Sequence, residues 1–245
     1  MAMDVINDYL SVDCVVFGFD SEKLSVLVVD RTLISEKKDS GFSDMTLTGN
    51  HIYQNETAEE AANRILFDLT GLSDIYFEQF KTFSDPKRLS KPNDKKWLDH
   101  HGRDPLQRIV SIGFFALLAT QNVTLKWKGR NVKWLPVHEV GELGFDHNHI
   151  LDDALLALRN KIKNAPIGFE LLPEKFSLTQ LQSVYEIILD TKFDKRNFRK
   201  KTTRMKYLIP LDEKQTGVAH KPAKLYMFSR DVYERTKREL FDFIV

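Results

Sequence analysis

The feature that most limits the folds open to this chain is a change of character at Asn164–Pro173, a stretch holding Pro166, Gly168 and Pro173. Before it the sequence reads mainly as strands, and after it as short helices and one hairpin. Proline and glycine so placed read as a linker, which divides the chain into residues 1–165 and 170–245. A length of 245 residues is enough for two small cores. Charge follows the same division. Met1–Phe169 holds 20 Lys/Arg against 24 Asp/Glu, whereas Glu170–Val245 holds 16 against 11. A mildly acidic body joined to a basic tail points to a polyanionic partner for the tail. Hydrophobic residues at 42% and charged residues at 29% exclude a disordered chain, a fibre and a disulfide scaffold. The single cysteine, Cys14, excludes an intrachain disulfide. The longest apolar runs, such as Val26–Val29 and Phe114–Ala119, fall far short of the roughly 20 residues of a membrane span. Met1–Tyr9 carries Asp4, Asn7 and Asp8 rather than a basic and apolar leader. The expectation is a soluble cytoplasmic protein with no membrane partner.

In the body, Leu10–Phe19 and Leu24–Asp30 are β-branched runs separated by the turn-like Asp20–Lys23, an opening hairpin. Met45–Thr48 is a short strand entering Gly49-Asn50. Ile75–Phe83 and Arg108–Thr120 are further strands. Asp85–Arg103, polar and rich in Lys, Asp and Pro, is expected as a long surface excursion. Thr57–Leu69 places Ala58, Ala61, Ala62, Ile65, Leu66 and Leu69 on one helix face. His147–Ile162 carries Ile150, Leu151, Ala154, Leu155 and Leu158 at the same spacing.

Gly49–Leu72 (GNHIYQNETAEEAANRILFDLTGL) resembles the box of the Nudix family, G-x5-E-x7-R-E-U-x-E-E-x-G-U, where U is bulky and aliphatic. Glu56 takes the first Glu, Arg64 the Arg, Leu66 the aliphatic residue and Gly71-Leu72 the closing pair. Asp104–Leu117 and Gly144–Arg159 resemble two other segments of that family. The resemblance implies an α+β protein whose first domain is an α/β/α sandwich with a mixed sheet. Enzymes of the family hold a divalent cation with carboxylates at i, i+3 and i+4 of the box helix. Here those positions read Ile65, Asp68 and Leu69, and Asn50 replaces a glycine. The expectation is therefore no catalytic residue, no metal, no cofactor and no enzymatic activity, with Glu56 and Arg64 kept as a structural ion pair.

The tail supplies another activity. Ser177–Leu189 opens with Ser177 and Gln180, a capping-box pattern. A helix beginning near Asp194 and running to about Met205 follows, and its Lys195–Lys206 portion (KRNFRKKTTRMK) holds seven basic residues and no acidic one. Phe198, Thr202 and Met205 could anchor it. Tyr207–Pro210 and Lys224–Phe228 bracket a hairpin, and Asp231–Phe241 closes the chain as a helix. Helix, turn, basic helix and hairpin are the order of a winged helix-turn-helix. Arg pairs bidentately with guanine, Asn with adenine, and Lys with phosphate. The DNA-binding candidates are Thr179, Gln180, Lys195, Arg196, Asn197, Arg199, Lys200, Lys201, Arg204, His220, Lys221 and Lys224.

Leu171–Leu181 and Asp194–Lys201 (DKRNFRKK) are similar to the tail of Nudix-related transcriptional regulators, in which a decayed Nudix domain precedes a winged helix. That resemblance implies a repressor or activator of operator double-stranded DNA, the repressor favoured, with its effector in the former substrate cleft. Because helix-turn-helix proteins usually bind pseudo-palindromes as dimers, a homodimer is expected. One branch of the group senses ADP-ribose and controls NAD genes, and another controls L-arabinose utilisation. The favoured effector is a small carbohydrate, L-arabinose first. ADP-ribose sensing is the alternative, and a hydrolase with unusual metal ligands the rival. A sugar wants short polar side chains on adjacent hydroxyls. Asp13, Arg31, Asn50, His51, Asp85, Arg108, Asp146 and His147 are the effector-binding candidates, at strand ends or loops near such a cleft. Equally, Asp146 fits an N-cap, His51 or His147 a surface position, and Asp13 a pair with Arg31 across the hairpin.

Overall fold

The computed structural model describes residues 5–20, 22–34, 41–120, 125, 129–217 and 221–236. They form two compact units that divide between Ala157 and Leu158, with the Phe19–Leu24 turn grouped with the second. The first is an α/β unit on a mixed sheet and the second a winged helix. In the first, β1 (Ile6–Phe19) and β2 (Leu24–Leu33) are neighbours, with β3 (Phe42–Thr46) beyond β2. β4 (Thr48–Tyr53) pairs antiparallel with β1. After α1 (Ala58–Thr70), β5 (Tyr76–Phe83) pairs antiparallel with β6 (Val110–Ala119), which lies beside β1. β7 (Val132–Pro136) pairs antiparallel with β2.

Local chemistry sets the limits of α1. Thr57 accepts from the Glu60 amide while the Glu60 carboxylate accepts from the Thr57 amide, a closed capping box. Gly71, at φ 72°, ends the helix in the left-handed region, and its N–H donates to Phe67 O. Ala61, Ala62, Ile65, Leu66 and Leu69 pack on Val12, Cys14, Val16, Phe114 and Ala116 of the sheet. Each large aliphatic side chain so buried contributes roughly 1.5–3 kcal/mol. Because strand neighbours point to opposite faces, Asp13 lies on the other side of β1 from Val12 and Cys14. Its face meets α3 (His147–Asn164), which begins at His147.

Two expectations are corrected. The presumed surface excursion at Asp85–Arg103 folds into a turn and α2 (Pro92–His100), and it buries Arg88, Asp94 and Leu98. Pro92 starts that helix, where its missing N–H costs no bond. Polar composition hid the burial because both charged residues are buried as ion pairs. The presumed linker at Asn164–Pro173 is also structured: Ile167–Leu171 is a 3-10 turn with Ile167, Gly168, Phe169 and Leu171 buried. Phe169 stacks on Phe228 at 4.5 Å between ring centroids and lies against Phe176 and Tyr207.

The second unit continues with β8 (Phe176–Ser177), α4 (Leu178–Leu189), α5 (Lys195–Thr202), β9 (Leu208–Lys214), β10 (Lys224–Phe228) and α6 (Arg230–Thr236). Its sheet runs β8-β10-β9, both pairs antiparallel. Ser177 and Gln180 form the expected capping box on α4. The expected continuation of α5 to Met205 does not occur. The hydroxyls of Thr202 and Thr203 bond back to Phe198 O and Arg199 O, competition with the backbone that favours a helix end. The closing helix is described only to Thr236, and the rest of Asp231–Phe241 lies outside the described residues. Among the described residues no helix is long and apolar enough to cross a membrane.

Candidate functional site

The first unit contains a cavity of about 650 Å³, within the roughly 300–1,000 Å³ of small-molecule sites. Its floor is built on Asp13. Gly49 sits opposite Asp13 in the β1–β4 register, and a Cβ there would collide with the Asp13 carboxylate and crowd Val12 O at 2.9 Å. Only glycine lets the two strands and the carboxylate share that space. Asp13 Oδ2 accepts from Ser111 Oγ at 2.6 Å and from the Arg88 guanidinium at 3.2 Å. Arg88 also donates to both oxygens of Asp146, at 2.9 and 2.8 Å. Leu47 N–H donates to His147 Nδ1 at 2.9 Å, so the proton of this ring sits on Nε2, which faces Asp13 Oδ1 at 3.5 Å. Burial works against the Asp13 carboxylate, but His147, Arg88 and Ser111 outweigh it and hold its pKa well below the ordinary range.

Beside this network lies a caged arginine. Arg31 is 1% exposed and donates to both oxygens of Asp44, at 2.6 and 2.5 Å. Its other terminal nitrogen lies 2.9 Å from Asp94 Oδ1, which also accepts from Phe145 N. Phe145, Phe42 and Trp97 surround the guanidinium at 4.4, 5.1 and 5.8 Å from their ring centroids. The sequence expectation that Asp13 pairs with Arg31 is therefore overturned, since each carries other partners. A Cβ on Gly144 would press on the Arg31 guanidinium at 2.5 Å, and Phe145 takes a φ of 56° to close over it.

Of the eight expected effector residues, Asp13, Arg31, Asn50, His51 and His147 line this cavity. Asp146 is absent from the lining and holds Arg88. Asp85 and Arg108 do not belong to it; both border a separate recess of about 150 Å³. Asp85 closes its own turn on Lys87 N, and Arg108 donates to Ser84 O. His51 donates from Nδ1 to Asn7 O, and burial together with the charge of Arg103 lowers its pKa. Sequence reasoning missed Arg88, Trp97, His100, His101, Arg103, Arg130 and Phe145. The i, i+4 spacing of Trp97 and His101 after Pro92 was the available signal, and their rings now lie 4.1 Å apart.

The box helix does not fit a divalent cation. Ile65 and Leu69 are 0% and 1% exposed within the core, and Asp68 is exposed to solvent one turn from Arg64. Among the described residues no three His, Cys, Asp or Glu side chains are grouped to hold a metal. Glu56 is engaged in structure: it takes Arg64 Nε and NH2 at 2.6 and 2.7 Å and the Tyr53 amide at 3.0 Å. Arg64 lies over the Tyr53 ring at 4.1 Å. Glu56→Gln should thus lower unfolding stability by about 1–3 kcal/mol, read from urea denaturation midpoints. A variant of unchanged stability that lost a magnesium-dependent turnover of ADP-ribose would instead make Glu56 a metal-site residue.

The second site lies on the winged helix. Asp194 caps α5 through the Asn197 amide. Phe198 and Thr202 are buried, and Phe198 stacks on Phe193 at 5.9 Å. Lys195, Arg196, Asn197, Arg199 and Lys200 are exposed and Lys201 half-buried. Arg204 lies in the turn after the helix, exposed. Thr179 is exposed on the first turn of α4, while Gln180 commits its carbonyl oxygen to the cap. Lys221 and Lys224 are exposed at the wing, and His220 lies outside the described residues. The angle between α4 and α5 is fixed by Glu186, which accepts from Phe193 N at 2.9 Å and Gln182 Nε2 at 2.8 Å. Gln182 Nε2 donates also to Phe193 O.

Comparison with known proteins agrees with the fold of both units. Residues 9–154 match the NUDIX domain family, and residues 168–228 match the NrtR DNA-binding winged helix domain. The ADPR responsive transcriptional repressor NtrR of Acinetobacter baylyi is 26% identical over 238 residues, 94% of this chain and 86% of its own. NrtR of Shewanella oneidensis, solved with a 27mer DNA, superposes with a TM-score of 0.73 at 26% identity, over 92% of this chain and 95% of that one. A MutT/nudix family protein of Enterococcus faecalis shares the fold, with a TM-score of 0.65 at 21% identity over 91% and 88% of the two chains. This chain belongs to the NUDIX family and carries an NrtR-type DNA-binding winged helix domain after its NUDIX domain.

Proposed function

We propose that this protein is a transcriptional repressor in which residues 170–245 bind operator DNA and residues 1–165 bind ADP-ribose, which releases it. The observation that carries the reading is α5. It buries an apolar side and presents Lys195, Arg196, Asn197, Arg199 and Lys200 to solvent on one short, capped helix. That is the composition of a helix that reads base edges and phosphates in a major groove. L-arabinose gives way to ADP-ribose on two grounds. The relative from Acinetobacter baylyi is described as ADP-ribose responsive. The cavity, moreover, is lined by arginines of which Arg130 has no carboxylate partner among the described residues, and a cation so placed suits a diphosphate and has no counterpart in a neutral pentose. With Ile65 and Leu69 in the core, the cavity binds its effector without hydrolysing it.

The protein acts in the cytoplasm as a homodimer, because helix-turn-helix proteins read half-sites about 34–36 Å apart with two recognition helices. Effector that binds the released form better weakens DNA binding by linkage. Fluorescence anisotropy on DNA from upstream of its own and neighbouring genes tests the reading. Binding at low salt, released by ADP-ribose and indifferent to L-arabinose, is the expected outcome. Binding indifferent to ADP-ribose sinks the sensor assignment, and absence of binding at low salt, where phosphate contacts are strongest, sinks the repressor.

A further inference from the structure

The four arginines of the cavity are not equally neutralised. Arg31 is closed by Asp44 and Asp94, and Arg88 by Asp13 and Asp146. Arg103 pairs with Asp8 at 2.9 Å. Arg130 alone has no carboxylate partner among the described residues. Its guanidinium instead lies over the Trp97 ring at 5.7 Å from the centroid, a ring also held by His101 at 4.1 Å and by the edge of Phe42 at 6.4 Å. Burial and the nearby Arg31 charge both lower the Arg130 pKa, so its charge is disfavoured by everything around it except the ring. A half-buried cation without a carboxylate partner has donors free to take an anion from solvent.

We propose that Arg130, seated over Trp97, is the phosphate contact of this cavity and the residue by which it prefers a nucleotide diphosphate to a neutral sugar. The inference rests on the ADP-ribose reading and deepens it. Arg31 and Arg88 cannot serve without releasing buried carboxylates, which is costly, and Arg103 already commits its charge to the exposed Asp8. Arg130 can, and its planar fork matches two phosphate oxygens at once. Trp97 holds the guanidinium by a cation–π contact rather than by a carboxylate, so its N–H groups are not engaged in an ion pair.

Calorimetric titration of the full-length protein with ADP-ribose tests this, on the wild type, Arg130→Gln and Arg130→Lys. Arg130→Gln should weaken ADP-ribose binding roughly ten- to hundredfold, the loss of a charge-assisted contact, and Arg130→Lys should restore part of it by returning the charge. The melting temperature of unliganded Arg130→Gln should equal or exceed that of the wild type, because the repulsion from Arg31 is gone. Equal ADP-ribose affinity in wild type and Arg130→Gln overturns the inference and leaves the sensor reading standing. A lowered melting temperature, with both variants weakened alike, makes Arg130 a structural residue and also overturns it. A wild type that does not bind ADP-ribose removes both.

Discussion

Arg31→Met should lower the unfolding free energy by about 3–5 kcal/mol, the range for breaking a buried ion pair by removing one partner. The loss is large because Asp94 is 0% exposed and Arg31 is the cation beside it. Asp94 Oδ2 has no hydrogen bond among the described residues, and the Arg31 nitrogen nearest Asp94 lacks hydrogen-bond alignment. What holds the pair is therefore mainly Coulombic, and little of it survives a neutral side chain. Phe42, Trp97 and Phe145 lose a cation at their ring faces as well. Urea denaturation of the wild type, Arg31→Met, Asp94→Asn and the double variant reads the coupling directly. The double variant should be more stable than Arg31→Met alone, since the uncompensated carboxylate is removed with its partner. A loss below about 1 kcal/mol in Arg31→Met would mean that water or a rearranged carboxyl already relieves the cage. Effector binding should fall in the same variant, because Arg31 and Phe145 both form part of the cavity wall.

The parts of this molecule that were legible in the sequence are those whose cause is local. α1 announces itself by its apolar face and α4 by a capping box and an apolar face, α5 by its run of basic residues around Phe198, and the β1–β2 hairpin by two β-branched runs. The cavity is legible only in part, because its geometry comes from pairs far apart in the chain. Arg88 meets Asp13 across 75 residues and Asp146 across 58. Seen one at a time, Arg88 and Asp94 are ordinary surface charges in a polar stretch, and that composition is what made Asp85–Arg103 read as an excursion. Asp85 and Arg108 are placed near the cleft as loop and strand-end residues, and chain position alone does not tell that they border a neighbouring recess while Arg88, Trp97 and His101 line the cavity. The Asn164–Pro173 stretch misled for a related reason. Its proline and glycine content signals a turn, but the burial of Phe169 depends on Phe228, which lies 59 residues later. Local signals fix where backbone bends and not what the bend packs against.

Arg196→Ala and Arg199→Ala, combined, should weaken operator binding by about 2–6 kcal/mol, taking roughly 1–3 kcal/mol for each arginine that reads a base edge. Both side chains are exposed on α5, and the helix is held from its other side by Phe198 and Thr202, so the loss is one of contact rather than of folding. Circular dichroism melts of the double variant should match the wild type within a degree or two, a surface substitution being worth about 0.5 kcal/mol at most. Lys200→Ala should behave differently. A lysine on a phosphate contributes equally on every sequence, so its removal weakens specific and non-specific DNA alike and reduces the slope of log affinity against log salt by about 1. ADP-ribose affinity should be unchanged in all of these variants, since none of the substituted residues lines the cavity. An Arg196→Ala, Arg199→Ala protein that keeps both its operator affinity and its preference over scrambled DNA would move base reading away from α5, and the wing, with Lys221 and Lys224 exposed on it, would be the next surface to alter.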